Sequence, residues 1–413
     1  MQLTNHNFYA KKKPTTIVDA LLCICIFISV NDIILIPFGI SWLKTILLFL
    51  LFVEFLVNPR VKKLYFVTYL ILAPMWFITS FYITNFLGNN LSFAIDELQA
   101  LLVVILLPLI VINRINKNPK NLALFAATFL WAILIATMHK IFFVFYEHKI
   151  FTNSLLQFLY ADLQGRGLVG GVYRLNTGNQ LLVSLALFIA ISFLIKREKT
   201  FFMGVVAIFC VVNIYLTASI FFSIATFIII IALFINVIKK NLVVLMLLFA
   251  VTLPILYVLT EDVLTSREAA TVGFDAGLYR IQQNVFLFNS FLEAPVFGKG
   301  PGYINPTNFT DTPWAFENNV LVLFAKYGVI GFLLFVSFIV LQYKMLNCRK
   351  SLLQYSIVVA FIFTASIFNP YLFGTYAGLA FAFALVLSSI LEKQNYPIKN
   401  NAQVAAKYEY NAV

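Results

Sequence analysis

The feature of this sequence that most constrains its fold is a series of long apolar runs separated by polar gaps. Most runs are about 20 residues long, and a helix of that length rises about 30 Å, the thickness of the hydrocarbon core of a bilayer. About twelve such runs occur, and each predicts one transmembrane helix. They fall at 15–37, 41–57, 64–84, 92–112, 121–145, 177–195, 200–217, 219–238, 241–259, 316–341, 352–368 and 371–391.

Composition excludes a water-soluble globule. Of the 413 residues, 62% are hydrophobic and only 11% are charged, too few to cover the surface of a soluble protein of this size. The runs lack the alternating pattern of a membrane β-barrel, and only helices and closed barrels satisfy their backbone hydrogen bonds in lipid. The sequence therefore predicts an all-α polytopic membrane protein in which residues 1–413 form a single integral membrane domain.

The basic residues predict how the chain is threaded through the membrane. The net charge is +12, and Lys and Arg collect in every second gap, for example at 11–13 and at Arg114 and Lys117. The short gaps on the other face contain no basic residue: 38–40, 85–91, 218 and 369–370. Because short cytoplasmic loops retain Lys and Arg, both termini are predicted to be cytoplasmic in a bacterial inner membrane. The charge forms no continuous stripe, so no nucleic-acid partner is predicted.

Two long polar segments lie on the outer, periplasmic side in this orientation. They cover residues 146–176 and 260–315, and a polar cytoplasmic tail covers 392–413. In the second segment, apolar residues recur at spacings that place them on one side of a helix: Leu278, Ile281, Val285, Phe288 and Leu292. We expect this amphipathic helix to lie at the outer interface of the membrane and to end before Pro295.

The same segment begins a resemblance to a known family. Its elements follow in this order: Leu278-Tyr-Arg280, a Pro- and Gly-rich turn from Pro295 to Gly302, Phe316-Glu317-Asn318, and Lys326-Tyr-Gly328-Val-Ile-Gly331. A similar stretch, Arg174-Leu-Asn176-Thr-Gly178-Asn179, opens the sixth run. In this order the residues resemble the Wzy-type O-antigen polymerases and their relatives, the O-antigen ligases.

The resemblance implies a GT-C-like glycosyltransferase acting at the periplasmic face on undecaprenyl-pyrophosphate-linked oligosaccharides. Such a polymerase transfers the growing glycan from its lipid pyrophosphate to a new lipid-linked repeat unit, without a nucleotide sugar or metal cofactor. A chain-length regulator and a flippase are candidate partners. The three His and four Cys show no metal-ligand spacing, so the residues themselves also predict no metal.

Two departures from the family pattern bear on the choice between functions. Related ligases carry His-Asn where this sequence has Glu317-Asn318, which favours a polymerase. Many relatives have Arg after a Ser that corresponds to Ser219, where this sequence has Ile220. A ligase, and a flippase or other transporter, remain the alternatives. Ion-coupled carriers commonly place ionisable groups at mid-membrane, whereas most charges here lie at the ends of runs.

Three arginines in the polar segments are candidates for contacting the pyrophosphate. A departing pyrophosphate develops negative charge, which the planar guanidinium group stabilises through paired hydrogen bonds. We assign Arg174 and Arg280 as catalytic, and Arg166 and Asn176 as substrate-binding. Free N–H groups of the helix that starts near Asn176 would add to the site beside Arg174. The alternative for each arginine is an interfacial contact with lipid headgroups.

The start of the tenth run supplies further candidates. Glu317 either accepts the proton of the acceptor hydroxyl, as a third catalytic residue, or only stabilises the helix N-terminus. Asn318 and Lys326 are assigned to substrate binding. Lys326 lies about two and a half turns into the run, where it must face a cavity or partner or else snorkel to the interface. Asp96 and Glu97, which begin the fourth run, are expected to be structural.

Overall fold

The computed structural model of the chain describes its helices and many of the turns between them. The described residues are 16–35, 42–147, 149, 168–169, 172–173, 179–195, 198–216, 220–238, 276–304, 316–348, 350–368 and 372–395. The run predicted at 241–259 lies outside these ranges.

The described part of the chain is almost entirely helical. The helices are α1 Ile17–Val30, α2 Asp32–Leu35, α3 Leu43–Val57, α4 Lys63–Phe86, α5 Leu91–Lys117, α6 Asn121–Glu147, α7 Gln180–Ile195, α8 Thr200–Leu216, α9 Ile220–Ile238, α10 Ala276–Glu293, α11 Asn319–Met345, α12 Leu352–Phe368 and α13 Thr375–Asn395. Except for α10, which lies in the second polar segment, the helices follow the apolar runs closely, because each run can satisfy its backbone groups in lipid only by forming a helix.

Five of the described helices are long and apolar enough to cross a membrane. They are Lys63–Phe86, Leu91–Lys117, Asn121–Tyr146, Asn319–Met345 and Thr375–Glu392. Further apolar helices of 10–17 residues accompany them. The chain is therefore a helical membrane protein, whereas the count of twelve spans and the position of the termini stay predictions.

A pair of short strands departs from the all-α prediction. Strands β1 (Leu168–Val169) and β2 (Val172–Tyr173) pair in antiparallel fashion within the first long polar segment. Their Val and Tyr residues favour extended structure, and the segment lacks the apolar periodicity that would favour a helix. Strand β2 contacts α6.

Helix α13 lies at the centre of the bundle, and α4 lies at its edge. Small residues allow close approach of other helices to α13: a Cβ at Gly378 would lie 2.9 Å from the carbonyl oxygen of Val103 in α5. Large apolar side chains of α4, such as Ile71, Ile78 and Tyr82, are exposed instead. Such a surface is stable when lipid covers it.

A buried ion cluster joins α1, α3 and α5 at the predicted cytoplasmic end. Arg114 Nη2 lies 2.7 Å from Asp19 Oδ1, and Arg114 Nη1 lies 3.1 Å from Glu54 Oε1. Thr16 Oγ1 also accepts a hydrogen bond from the guanidinium group at 2.6 Å. The pattern of basic residues predicts a loop at Arg114, but α5 continues to Lys117 and this side chain is buried.

Candidate functional site

Helix α11 is broken at Gly328, within the stretch that carries the family resemblance. Gly328 has φ 65° and ψ −170°, which is not helical. Only glycine adopts this backbone conformation without strain. A break of this kind frees carbonyl and N–H groups, and in a membrane protein these groups must find partners within the protein.

The loop formed by residues 294–302, directly after α10, supplies those partners. Four backbone hydrogen bonds join it to the two sides of the break: Lys299 N–H to Ala325 C=O at 2.8 Å, Gly300 N–H to Lys326 C=O at 2.8 Å, Val329 N–H to Pro295 C=O at 2.9 Å, and Ile330 N–H to Val296 C=O at 3.1 Å. The Pro- and Gly-rich turn of the sequence motif is therefore a plug inserted into a discontinuous helix.

The glycines of the motif permit this close approach. Gly298 has φ 74°, and a Cβ at this position would overlap the backbone of Lys326 and Tyr327. A Cβ at Gly328 would lie 2.7 Å from the nitrogen of Gly298 and would also overlap Val296. Real Cβ atoms do not approach other atoms so closely, so both positions require glycine.

The turn between α4 and α5 holds the other side of the loop. Asn89 Nδ2 donates to the carbonyl oxygens of Lys299 at 2.7 Å and Pro301 at 3.1 Å. Thr84 Oγ1 also donates to the Pro301 carbonyl at 3.1 Å. These contacts fix the loop to α4 and α5, so its position does not depend on α11 alone.

Lys326 lies next to the break and forms a buried ion pair with Glu97 of α5. The Lys326 side chain is fully buried, and its ammonium group donates to Glu97 Oε1. The N–H group of Gly302 approaches Glu97 Oε2 at 3.4 Å, and the ring of Phe316 lies 5.2 Å from Lys326 Nζ. Lys326 therefore does not snorkel to the interface. It joins α5, the loop and the broken helix.

A second ion pair lies at the surface, just before α11. Arg280 Nε donates to Glu317 Oε2. The two side chains are 47% and 39% exposed, so both can be reached from outside the bundle. Phe316 connects the two ion pairs, because its ring covers Lys326 and the next residue is Glu317.

Polar contacts along α10 fix the surface pair in place. The Gln283 side chain accepts a hydrogen bond from Glu317 N–H at 3.4 Å, and Asn318 Nδ2 donates to Asn284 Oδ1 at 3.2 Å. Asn318 Oδ1 in turn accepts from Leu321 N–H at 3.1 Å, which makes Asn318 the N-cap of α11. Helix α10 and the start of α11 therefore position Arg280 and Glu317 together.

The prediction of an amphipathic helix before Pro295 is confirmed by α10. The predicted apolar residues Ile281, Val285, Phe288 and Leu292 are each at least half exposed. The opposite side packs on the start of α11 through Leu287, which is fully buried. A half-exposed apolar stripe fits a helix whose outer face meets lipid, as an interfacial helix does.

The residues predicted from the sequence fall into three groups. Arg280, Glu317 and Asn318 come together at the start of α11. Lys326 lies apart from them, buried against Glu97. Three further candidates lie outside the described residues: Arg166, Arg174 and Asn176.

The sequence predicts a structural role for Glu97 but does not identify Lys326 as its partner. An acidic residue inside an apolar run signals a buried partner, and Lys326 is a matching basic residue inside another run. The two are far apart in sequence, however, and spacing alone does not identify such a pair.

The surface pair offers an anion-binding group beside a proton acceptor. The guanidinium group of Arg280 has further N–H donors beyond the one directed at Glu317, and it is exposed enough to receive an anionic group. The carboxylate of Glu317 can accept a proton from a bound hydroxyl.

Comparison with known proteins assigns neither a family nor a function to this site. No protein-family model matches the sequence, and no curated protein matches it significantly.

Proposed function

We propose that this chain is a metal-independent glycosyltransferase that polymerises a surface polysaccharide at the periplasmic face of the bacterial inner membrane. Its substrate is an undecaprenyl-pyrophosphate-linked oligosaccharide. The observation that carries this proposal is the exposed pair of Arg280 and Glu317, held by α10 and the N-terminus of α11. The sequence motif that suggested the family supplies both residues and the loop that supports them.

The proposed reaction moves the growing glycan from one lipid to another. A hydroxyl oxygen of the incoming lipid-linked repeat unit bonds to the anomeric carbon of the glycan, and the bond from that carbon to the pyrophosphate oxygen breaks. The electron pair of that bond leaves with the undecaprenyl pyrophosphate, whose added negative charge Arg280 stabilises. The hydroxyl proton goes to Glu317 and then to water.

The buried scaffold supports this proposal by making the pair rigid. The loop at 294–302 ends α10 on one side and fills the break in α11 on the other, so Arg280 and Glu317 are attached to the same rigid unit. Catalytic groups that are positioned before the substrate binds need little rearrangement during the reaction.

The test of the reaction class is an assay with purified protein and a synthetic undecaprenyl-pyrophosphate repeat unit. A polymerase gives a ladder of products that differ by one repeat, without added metal or nucleotide sugar. Recovery of unextended substrate only, from protein that remains folded, would contradict the proposal.

Cells that lack the protein distinguish the alternatives. Loss of a polymerase leaves single repeats on the carrier, whereas loss of a ligase leaves long chains on the carrier. A flippase moves the lipid-linked unit across proteoliposomes without extending it. Either of these last two outcomes would replace the polymerase with the corresponding alternative.

A further inference from the structure

Lys140 is a buried lysine outside the site described above. It lies in α6, and the residues 141–147 that follow it in the helix rise about 10 Å. Residues 118–120 join α5 to α6, so the last turns of α6 lie on the same side of the membrane as the first turns of α5. Lys140 is therefore on the side where Glu97 pairs with Lys326.

Three consecutive hydrogen bonds fix the orientation of the Asn213 side-chain amide, which faces Lys140. Lys140 Nζ donates to Asn213 Oδ1 of α8 at 2.7 Å, and Asn213 Nδ2 donates to Thr137 Oγ1 at 2.7 Å. The Thr137 hydroxyl donates to the carbonyl of Ile133 at 2.9 Å, so its oxygen can only accept from Asn213. The amide oxygen of Asn213 therefore points at the ammonium group.

Lys140 differs from the other fully buried basic side chains of the described residues. Arg114 pairs with Asp19 and Glu54, and Lys326 pairs with Glu97. Among the described residues no carboxylate forms an ion pair with Lys140, which is fully buried and cannot snorkel to the interface. A buried ammonium group with one neutral partner is costly, and a charge in this position marks a functional site.

Other buried polar groups lie at the same end of the bundle. On α7 and α9, the hydroxyl groups of Ser184 and Thr226 are hydrogen-bonded at 2.8 Å, and both side chains are buried.

We propose that Lys140, oriented by Asn213, binds the phosphate group of a membrane lipid at this end of the bundle. Phosphate supplies a negative charge, which the neutral amide of Asn213 does not, and further acceptor oxygens for the ammonium group of Lys140. Identifying this lipid as the pyrophosphate carrier rests on the proposed function. Because Lys140 is fully buried in the described structure, a lipid phosphate reaches it only after a rearrangement around it.

The test compares lipid binding by purified variants in detergent, measured by native mass spectrometry. The probes are undecaprenyl pyrophosphate and, as an ordinary lipid with a phosphate group, phosphatidylglycerol. Lys140→Met keeps the length of the side chain and removes its charge. Asn213→Asp keeps the shape of the partner and gives Lys140 a permanent carboxylate, which competes with phosphate.

Both variants are expected to bind the lipid phosphate at least about tenfold more weakly than the wild type. Asn213→Asp should also melt no lower than the wild type, because it pairs the buried charge. Weaker lipid binding by a variant with an unchanged melting temperature cannot result from loss of folding. If Lys140→Met does not fold, the binding measured for Asn213→Asp is the test. Lys117→Met, at an exposed lysine of the opposite end, should bind normally.

The two probes identify the source of the phosphate. Weaker binding of undecaprenyl pyrophosphate alone assigns the site to the carrier, and weaker binding of both lipids assigns it to lipid phosphates in general. Unchanged binding of both lipids by Asn213→Asp would overturn the proposal. Because no glycan is transferred, this result is independent of whether the chain is a polymerase.

Discussion

Lys326 and Glu97 form an ion pair between the broken helix α11 and the first turns of α5, and the lysine of this pair is fully buried. Glu97 also faces the N–H group of Gly302, so the pair fastens the loop that fills the break. The loop and α11 in turn position Arg280 and Glu317. The buried pair thus supports the exposed pair without being a part of it.

Removing one partner of the buried pair should destabilise the protein strongly. Lys326→Met and Glu97→Gln each leave a buried group without its partner, at a cost of about 3–5 kcal/mol in the free energy of unfolding. The measurement is thermal unfolding in detergent. The double variant Lys326→Met with Glu97→Leu should recover much of the loss, since it removes both charges.

An exposed ion pair of the same region provides the control for that experiment. Lys299 Nζ lies 2.6 Å from Glu293 Oε2, and the Glu293 side chain is 64% exposed. Glu293→Gln should change the free energy of unfolding by less than about 1 kcal/mol. If Lys326→Met were equally mild, the buried pair would not hold the loop.

The glycines at the break should tolerate no side chain. Gly298→Ala and Gly328→Ala force the loop and helix apart and should each cost about 1–3 kcal/mol or more. Gly204→Ala is the matched control, because Gly204 lies inside α8 with nothing near the position of a Cβ. That variant should be as stable as the wild type or slightly more stable. Thermal unfolding of the three variants side by side checks the prediction, and equal melting temperatures would contradict it.

Arg114 should matter far more than its neighbour Lys117. Arg114→Ala leaves the carboxylate of Asp19 buried without its cation and should cost about 3–5 kcal/mol. Lys117 lies 3.7 Å from Glu54 and is 37% exposed, so Lys117→Ala should change stability by less than about 1 kcal/mol. The amount of folded protein in the membrane and its unfolding temperature report both effects. A stable Arg114→Ala variant would show that the cluster is dispensable.

The orientation of the chain can be tested with single cysteines in a variant without the four native ones. Glu293→Cys, at the end of α10, should react with a membrane-impermeant maleimide on intact spheroplasts. Lys120→Cys, between α5 and α6, should react only after the cells are opened, because Lys and Arg keep short loops in the cytoplasm. The reverse pattern would place Arg280 and Glu317 on the wrong side for a periplasmic enzyme.

The helices could be predicted from the sequence because each apolar run satisfies its own backbone only as a helix. The start of α11 and the amphipathic face of α10 follow from local periodicity in the same way. The contact of Arg280 with Glu317 could not be predicted directly, because the sequence shows only that both residues belong to one motif. Geometry shows that α10 packs on the start of α11 and brings the two side chains together.

The break at Gly328 and its plug could not be predicted, because they depend on contacts between distant segments. A run that reads as one continuous helix contains a glycine whose φ is set by the loop at 294–302. Lys326 belongs to the same run, and its partner Glu97 lies in another helix. Arg114 was also misplaced by the sequence pattern. Counting basic residues assigns Arg114 to a loop, because the count does not distinguish a buried arginine from an exposed one.

In the proposed reaction, Arg280 and Glu317 act together on a lipid-linked glycan. The most direct test of this joint action is the gel ladder formed from a synthetic undecaprenyl-pyrophosphate repeat unit by folded Arg280→Ala and Glu317→Gln, with Glu293→Gln as the control. We predict that the first two variants lose the ladder, with at least about a hundredfold lower rate, while the control keeps it. A normal ladder from both Arg280→Ala and Glu317→Gln would show that the pair does not catalyse the transfer.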